Sequence, residues 1–188
     1  MVKAKYWLFY KFLLRRARVE KLILSIDAGT QSVRAIVFNK EGELLVKSQQ
    51  FLPNYDAPKP GWAEINPEIY WDKILLAIRE VITNYPELTA ELGGLVLTTQ
   101  RSTVINVDQD GRPLRPAILW LDQRRQENLP FLPGVWGLIF KTAGLKDTVS
   151  YLMSQAEANW IRVNEPEVWQ KTYKYLFLSG YLYYKFTG

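Results

Sequence analysis

Cysteine and histidine are both absent from the 188 residues. Without cysteine there is no disulfide framework and no thiolate metal site, which suits a cytoplasmic protein. Without histidine there is no imidazole base and no imidazole metal ligand, so acid–base chemistry falls to carboxylates, Lys or Tyr. Excess charge is also scarce once it is located. The net charge is +5, but residues 1–20, MVKAKYWLFYKFLLRRARVE, carry all of it, and the other 168 residues balance 18 basic against 18 acidic side chains. The body of the protein is neutral and offers no basic patch, so no nucleic-acid partner is expected. A long hydrophobic run is missing too. The stretch YWLFYKFLL is broken by Lys11 and falls well short of the ~20 residues that a membrane span needs. No small-residue cleavage site follows it, so it does not read as a secretory signal.

What is present is enough for one ordinary domain with a real core. The hydrophobic share is 48%, and seven Trp and eleven Tyr supply bulky packing groups, which excludes wholesale disorder. Residues 1–20 stand apart as a basic, aromatic extension. Two readings are open for them: an amphipathic helix lying on a membrane surface, or an upstream extension that adds nothing to the fold. Membrane contact is not expected of the domain itself, taken as residues 21–188.

From residue 22 the pattern is regular. LILSID, VRAIVFN and ELLVKSQQF are β-rich runs separated by AGTQS and NKEG, which predicts a three-strand antiparallel meander. PNYDAPKPGW is a Pro-rich extended loop. In INPEIYWDKILLAIREVITNY the period becomes helical, with Ile74, Ala77, Ile78 and Val81 on one stripe. Asn66 is placed to cap this helix, with Pro67 at its first position and Glu68 at the positive end of its dipole. GGLVLTTQ reads as a buried strand, and VINVDQDGRPLRPAILWLD as two short extended pieces around the turn DQDG. From about Gln123 onward the chain reads as mostly helical. No repeat, low-complexity tract or interior linker interrupts this α/β body.

The stretch SIDAGTQSVRAIVFNKEG, residues 25–42, carries the first chemical signal. It has neither the G-x-G-x-x-G of a dinucleotide site nor the G-x-x-x-x-G-K-[ST] of a P-loop. Yet a hairpin turn with Gly29, Thr30, Gln31 and Ser32 sets backbone N–H groups beside hydroxyls, a combination that can wrap a phosphate. Asp27 at the end of the first strand could hold Mg²⁺ or its water shell, since that ion prefers few carboxylates and several waters. Arg34 could reach a phosphate. The alternative is a tight turn with polar decoration.

The wider order of elements resembles the actin, hexokinase and sugar-kinase ATPases, and within them the FGGY carbohydrate kinases. D-A-G-T-Q-S-V-R is similar to that family's D-x-G-T-x-S-x-R hairpin, and P-G-W-A-E-I-N-P-E-I-Y-W to its P-G-W-x-E-x-x-P-x-x-x-W segment. T-T-Q-R at 98–101 falls where the family places substrate contacts after a strand. R-P-A-I-L-W-L-D-Q-R resembles A-I-x-W-x-D-x-R, and the closing F-T-G resembles a helix ending in L-T-G. The resemblance runs in order from about residue 22 to residue 188. It implies an RNase H-like, actin-like ATPase domain with a mixed sheet: the first lobe of a two-lobed enzyme that moves the γ-phosphoryl of ATP, with Mg²⁺, to a sugar or polyol hydroxyl.

Residue by residue, the resemblance implies that Asp27 organises the metal and phosphates, while Gly29 lets the backbone approach them. Thr30, Gln31 and Ser32 would contact the β- and γ-phosphates, with Arg34 nearby. Gln100, Arg101 and the adjoining Ser102 fall at the substrate. Arg101 brings a fixed fork of donors to the hydroxyls of a polyol. Trp120 would pack on sugar carbons, and Asp122 would hold a hydroxyl or orient Arg124. Read on their own, Trp120 could be plain core and Asp122–Arg124 a surface ion pair of little energetic consequence. Tyr151 lies near the place of a substrate Tyr in some members.

Departures from the family pattern narrow the substrate. Members that phosphorylate glycerol follow this Arg with Glu, whereas Arg101 is followed by Ser102, and the Met-His pair of xylulose-phosphorylating members has no counterpart. Another polyol or ketose is expected. The general-base Asp of the family falls beyond residue 188, as does the lobe that holds adenine, so the chain alone is expected not to turn over. The alternative is a non-catalytic remnant, or one half of a split kinase that pairs with a separate second lobe.

Overall fold

The computed structural model describes residues 22–188; the basic extension lies outside the described residues. The first four-stranded sheet forms as the alternation predicts. Strand β1 (Leu22–Ala28) pairs antiparallel with β2 (Ser32–Phe38), and β2 pairs antiparallel with β3 (Leu44–Phe51). On one face Leu22, Leu24, Ile26 and Ala28 of β1 align with Val33, Ala35 and Val37 of β2 and Val46 of β3, all buried. This is the period-two signature of a half-covered antiparallel sheet.

Helix α1 (Glu68–Asn84) covers that face. Tyr70, Trp71, Ile74, Ala77, Ile78 and Val81 are its buried residues, which includes the whole predicted stripe. Its start is one residue later than expected. Pro67 already has helical backbone angles but stands as the cap, and the Asn66 Oδ1 accepts the Glu68 N–H at 3.1 Å. The side-chain oxygen thus satisfies a first-turn donor from one position further out than the usual cap. A short helix α2 (Pro86–Ala90) leads into β5 (Leu92–Thr99). β5 lies parallel to β1 and completes the order β3-β2-β1-β5.

The expectation of a buried β5 is corrected here. The strand sits at the sheet edge with alternating burial, and Val96 is 53% exposed. Apolar composition alone could not distinguish a central strand from an edge strand.

A second, smaller sheet was not foreseen. It runs β4-β7-β6-β8, formed by β4 (Glu64–Ile65), β6 (Val104–Val107), β7 (Ala117–Ile118) and β8 (Lys174–Phe177), all antiparallel. The turn Asp108–Gly111 behaves as predicted. Gly111 takes a φ of 74°, and the Asp108 carboxylate accepts the N–H groups of Asp110 and Arg112. Strand β8 lies inside the stretch expected to be helical. KYLF is short and flanked by helical sequence, and its pairing with β6 in register Ile105–Leu176 decides its state. Helices make up most of the C-terminal half, but only from residue 134, since 119–133 is irregular: α3 (Gly134–Thr142), α4 (Lys146–Gln155), α5 (Glu157–Asn164), α6 (Pro166–Lys171) and α7 (Leu178–Thr187). Leu178, Tyr181 and Leu182 of α7 join the main core, whereas Ile161 of α5 packs with Val104 and Ile118 in a satellite cluster.

Ile74 is fully buried between helix and sheet, while Leu76, two residues on, is 45% exposed. Ile74→Ala should cost about 2–5 kcal/mol and Leu76→Ala no more than about 0.5 kcal/mol, measured as urea unfolding free energies. Equal losses would contradict this placement of the helix.

Candidate functional site

The parallel pairing of β1 with β5 brings two sequence-distant segments to one end of the sheet. Ala28 is level with Thr99, and the Gln100 N–H continues the ladder to the Ala28 carbonyl at 2.9 Å. The turn after β1 and the residues after β5 therefore emerge side by side, where α/β sheets ordinarily place ligands.

The turn is tight. The Gly29 N–H donates to the Ser32 carbonyl at 3.0 Å, and the Leu52 N–H donates to that of Gln31 at 2.9 Å. The backbone N–H groups of Thr30 and Gln31 have no hydrogen-bond partner among the described residues. A side chain at Gly29 would meet only the Ser32 carbonyl, at 3.4 Å, so nothing inside the turn demands glycine there. The Ser32 side chain is turned inward: the residue is buried, and its Oγ accepts from Gln49 Nε2 at 3.0 Å. Asp27 and Arg34 are direct partners across β1 and β2 and form an ion pair of 2.9 Å with both side chains partly exposed.

The Thr30 hydroxyl donates to Gln100 Oε1 at 2.7 Å and accepts from the Trp120 indole Nε1–H at 3.0 Å. Gln100 Nε2 donates to the Tyr70 hydroxyl at 2.6 Å. Tyr70 is fully buried on α1, and burial pushes its phenol up to about 12 despite the hydrogen bond from Gln100. The structure thus brings together Gly29, Thr30, Gln31, Gln100 and Trp120. Trp120 is 54% exposed, so it is not core. Arg101 is exposed, and its guanidinium has no partner among the described residues. Ser102, next to it, adopts a left-handed φ of 56°. That conformation is uncommon for a residue other than Gly, Asn or Asp, and it clusters at ligand sites. Tyr151 stands on α4, 57% exposed.

Asp122 has a different position from Trp120. Its side chain is only 1% exposed; Oδ2 accepts the Ala63 N–H at 2.7 Å, and Oδ1 accepts both the N–H and the Nε–H of Arg124. Both of its carboxylate oxygens thus bond Arg124. The pair is deeply buried, not a surface ion pair. Around it the P-G-W and W-L-D-Q-R segments are zipped together, with the Leu119 N–H on the Ala63 carbonyl and the Gln123 N–H on that of Gly61. Gly61 has a φ of 78°, a backbone state for which glycine is the default.

The Arg124 guanidinium lies 3.9 Å from the Trp62 ring centroid and 4.7 Å from that of Trp160. It also meets Glu64 at 2.9 Å. Glu64 bonds Arg115 as well, and Arg115 holds Glu165 at 2.7 Å. Burial opposes the charge of Arg124, but Asp122 and Glu64 outweigh it and raise its pKa further. Sequence reasoning assigned no role to Tyr70, Glu64, Arg115 or Trp160, although the first three lie within the quoted motif segments 60–71 and 115–124.

A family model, the N-terminal domain of the FGGY family of carbohydrate kinases, matches residues 22–188. The chain belongs to the FGGY family. Among curated relatives it is 30% identical to a xylulose kinase of Staphylococcus xylosus over 88% of the chain, and 33% identical to a glycerol kinase of Thermococcus gammatolerans over 90%. It spans about a third of the length of each, 34% and 35%. Its fold is similar to a xylulose kinase from Rhodospirillum rubrum, with a TM-score of 0.70 at 23% identity over 87% of this chain and 33% of that one. A xylulose kinase from Brucella ovis gives 0.69 at 22% identity, over 86% and 33%. The chain is thus an FGGY-type α/β domain of the actin-like ATPase fold with a mixed sheet. No helix among the described residues is long and apolar enough to cross a membrane.

Glu157, at the start of α5, has a raised pKa. Burial is the largest cause and nearby Asp122 adds to it, while its backbone N–H and Arg124 pull the other way. A carboxyl raised on folding contributes stability that is present below its unfolded pKa and lost as pH rises through the folded one. Glu157→Gln should therefore gain stability relative to the parent as pH rises from about 4 to 8, read from urea midpoints. A difference that does not change with pH would contradict the burial argument.

Proposed function

We propose that this domain forms the first lobe of an ATP-dependent carbohydrate kinase, which transfers the γ-phosphoryl of ATP to a hydroxyl of a sugar or polyol. The observation that carries this reading is the junction at the ends of β1 and β5. There a turn whose Thr30 and Gln31 N–H groups have no partner among the described residues is hydrogen-bonded through Thr30 to Gln100 and Trp120, beside Arg101, which has no partner among the described residues either. The domain extends from about residue 21 to residue 188.

The Thr30 and Gln31 N–H groups, with Arg34 behind them, suit the β- and γ-phosphates. The Ser32 hydroxyl, bonded to Gln49, supports the turn from within. Mg²⁺ fits the donor set present. Asp27 offers one partly exposed carboxylate. This ion favours one or two carboxylates supplemented by phosphate oxygens and water. When bound, it would neutralise charge developing on the phosphates. Arg101 hydrogen-bonds the substrate hydroxyls, and Ser102 lies next to them. The exposed Trp120 ring packs on the C–H face of the sugar.

Phosphoryl transfer depends mainly on positioning and electrostatics. The base that accepts the proton of the attacking hydroxyl belongs to the two-thirds of the relatives' length outside this match. Asp122 does not supply it, being committed to Ala63 and Arg124, and Asp27, paired with Arg34, stands on the metal side. Lacking the Glu after Arg101, the site favours a ketose or a polyol other than glycerol. In such an enzyme this lobe completes the cleft together with a second lobe.

ADP formation by the 188-residue chain with MgATP and a panel of polyols and ketoses should stay at background, while at least one sugar binds measurably. Arg101→Ala should weaken that sugar roughly ten- to a hundredfold and leave MgATP binding unchanged, read by calorimetry. Sugar-dependent turnover would contradict the placement of the base, and equal losses for both ligands would contradict the role of Arg101.

A further inference from the structure

Tyr70 lies on α1, outside every motif segment that touches the proposed ligands, yet its hydroxyl ends a chain of side-chain hydrogen bonds that runs into the site. Gln100 Nε2 donates to it at 2.6 Å, the Thr30 hydroxyl donates to Gln100 Oε1 at 2.7 Å, and Trp120 Nε1–H donates to Thr30 Oγ1 at 3.0 Å. Each link restricts the next. A carboxamide can present its oxygen or its nitrogen to Thr30, and the two have opposite donor character. Anchoring Nε2 at Tyr70 leaves the Oε1 end at Thr30. The Thr30 proton is then committed to Gln100, and the lone pair left on Oγ1 accepts the indole N–H. A phenol can donate or accept; in this arrangement the oxygen of the fully buried Tyr70 accepts from Gln100 Nε2 and so holds the carboxamide from its buried end.

We propose that Tyr70 is a positioning residue that acts through Gln100 and Thr30 to hold the Trp120 ring, coupling the turn after β1 to the sugar-facing aromatic. Trp120 is 54% exposed. An exposed ring on a turn has little packing to hold it, so one hydrogen bond decides how long it keeps its orientation. The relay also explains why Thr30, and not a larger or apolar residue, stands in the turn. Its hydroxyl makes one bond as donor and one as acceptor, and Val at that position makes neither. This inference rests on the kinase reading only for what Trp120 would contact; the relay itself concerns the chain without ligand.

The test uses the 188-residue chain free of ligand. The seven indole N–H resonances are recorded by NMR, that of Trp120 is identified by its loss in Trp120→Phe, and its exchange with water is measured. Tyr70→Phe and Thr30→Val should each speed that exchange roughly tenfold, the effect of removing one net hydrogen bond. Thr30→Ser, which keeps the hydroxyl, should leave it close to the parent rate. The Trp160 indole, packed on Arg124 away from the relay, reports on the rest of the fold. Faster exchange at Trp120 alone, retained in Tyr70→Phe and rescued in Thr30→Ser, supports the proposal. An unchanged Trp120 in Tyr70→Phe overturns it, as does equal acceleration at Trp120 and Trp160, which would mean Tyr70 only stabilises the fold. Because no nucleotide or sugar is present, neither result depends on whether the kinase reading holds.

Discussion

The parallel pairing of β1 with β5 is the constraint on which the site depends. β1 is bonded on both sides, antiparallel to β2 and parallel to β5. A parallel neighbour cannot be reached by a hairpin, so the chain must leave the sheet and return through a crossover. Here β4, α1 and α2 fill that crossover, and α1 covers the sheet on the way. The parallel sense places the ends of β1 and β5 at the same edge, and Ala28 level with Thr99 leaves Gly29–Ser32 beside Gln100–Ser102. An antiparallel β5 would put the two segments at opposite ends of the sheet.

A second constraint brings in Trp120. Residues 119–124 form no long element, and what fixes them is a buried charge cluster of Asp122, Arg124, Glu64, Arg115 and Glu165. Such clusters are a poor source of net stability, because desolvation offsets most of the attraction. Arg124 bears that cost visibly, with Nη1 buried and unpartnered. The contribution of the cluster is geometric. Asp122 bonds the Ala63 N–H, Glu64 bonds two arginines, and the two motif segments are locked in register. Trp120 lies between Leu119, buried at 2% exposure, and this lock, so it is carried to the Thr30 hydroxyl.

Much of this was legible in the sequence where local pattern decides structure. The three-strand meander, the stripe Ile74–Ala77–Ile78–Val81 and the DQDG turn follow from period and turn chemistry, and the structure has all three. The family was legible because its segments recur in order. The failures are those in which distant residues decide. GGLVLTTQ carries no mark of the sheet edge it occupies, and KYLF is a strand only because β6 lies beside it. In the candidate site, Thr30, Gln100 and Trp120 could be named from motifs, but their mutual bonds could not. Ser32 and Asp122 were named from the family's motifs, and a motif does not reveal that the Ser32 hydroxyl bonds Gln49 or that Asp122 bonds the Ala63 N–H. Tyr70 sits on a helix stripe and reads as core; nothing but the structure identifies Gln100 as its partner.

The central claim is that one end of the β1–β5 pair forms a single site with a phosphate side and a sugar side. Amide chemical-shift mapping on the 188-residue chain, titrated separately with MgATP and with the best-binding sugar, tests it most directly. The account predicts that MgATP perturbs Asp27–Arg34, the sugar perturbs Gln100–Ser102 and Trp120, and both converge on Thr30. Perturbations centred elsewhere, such as the open cleft lined by Tyr55, Lys59 and Trp62, would contradict it.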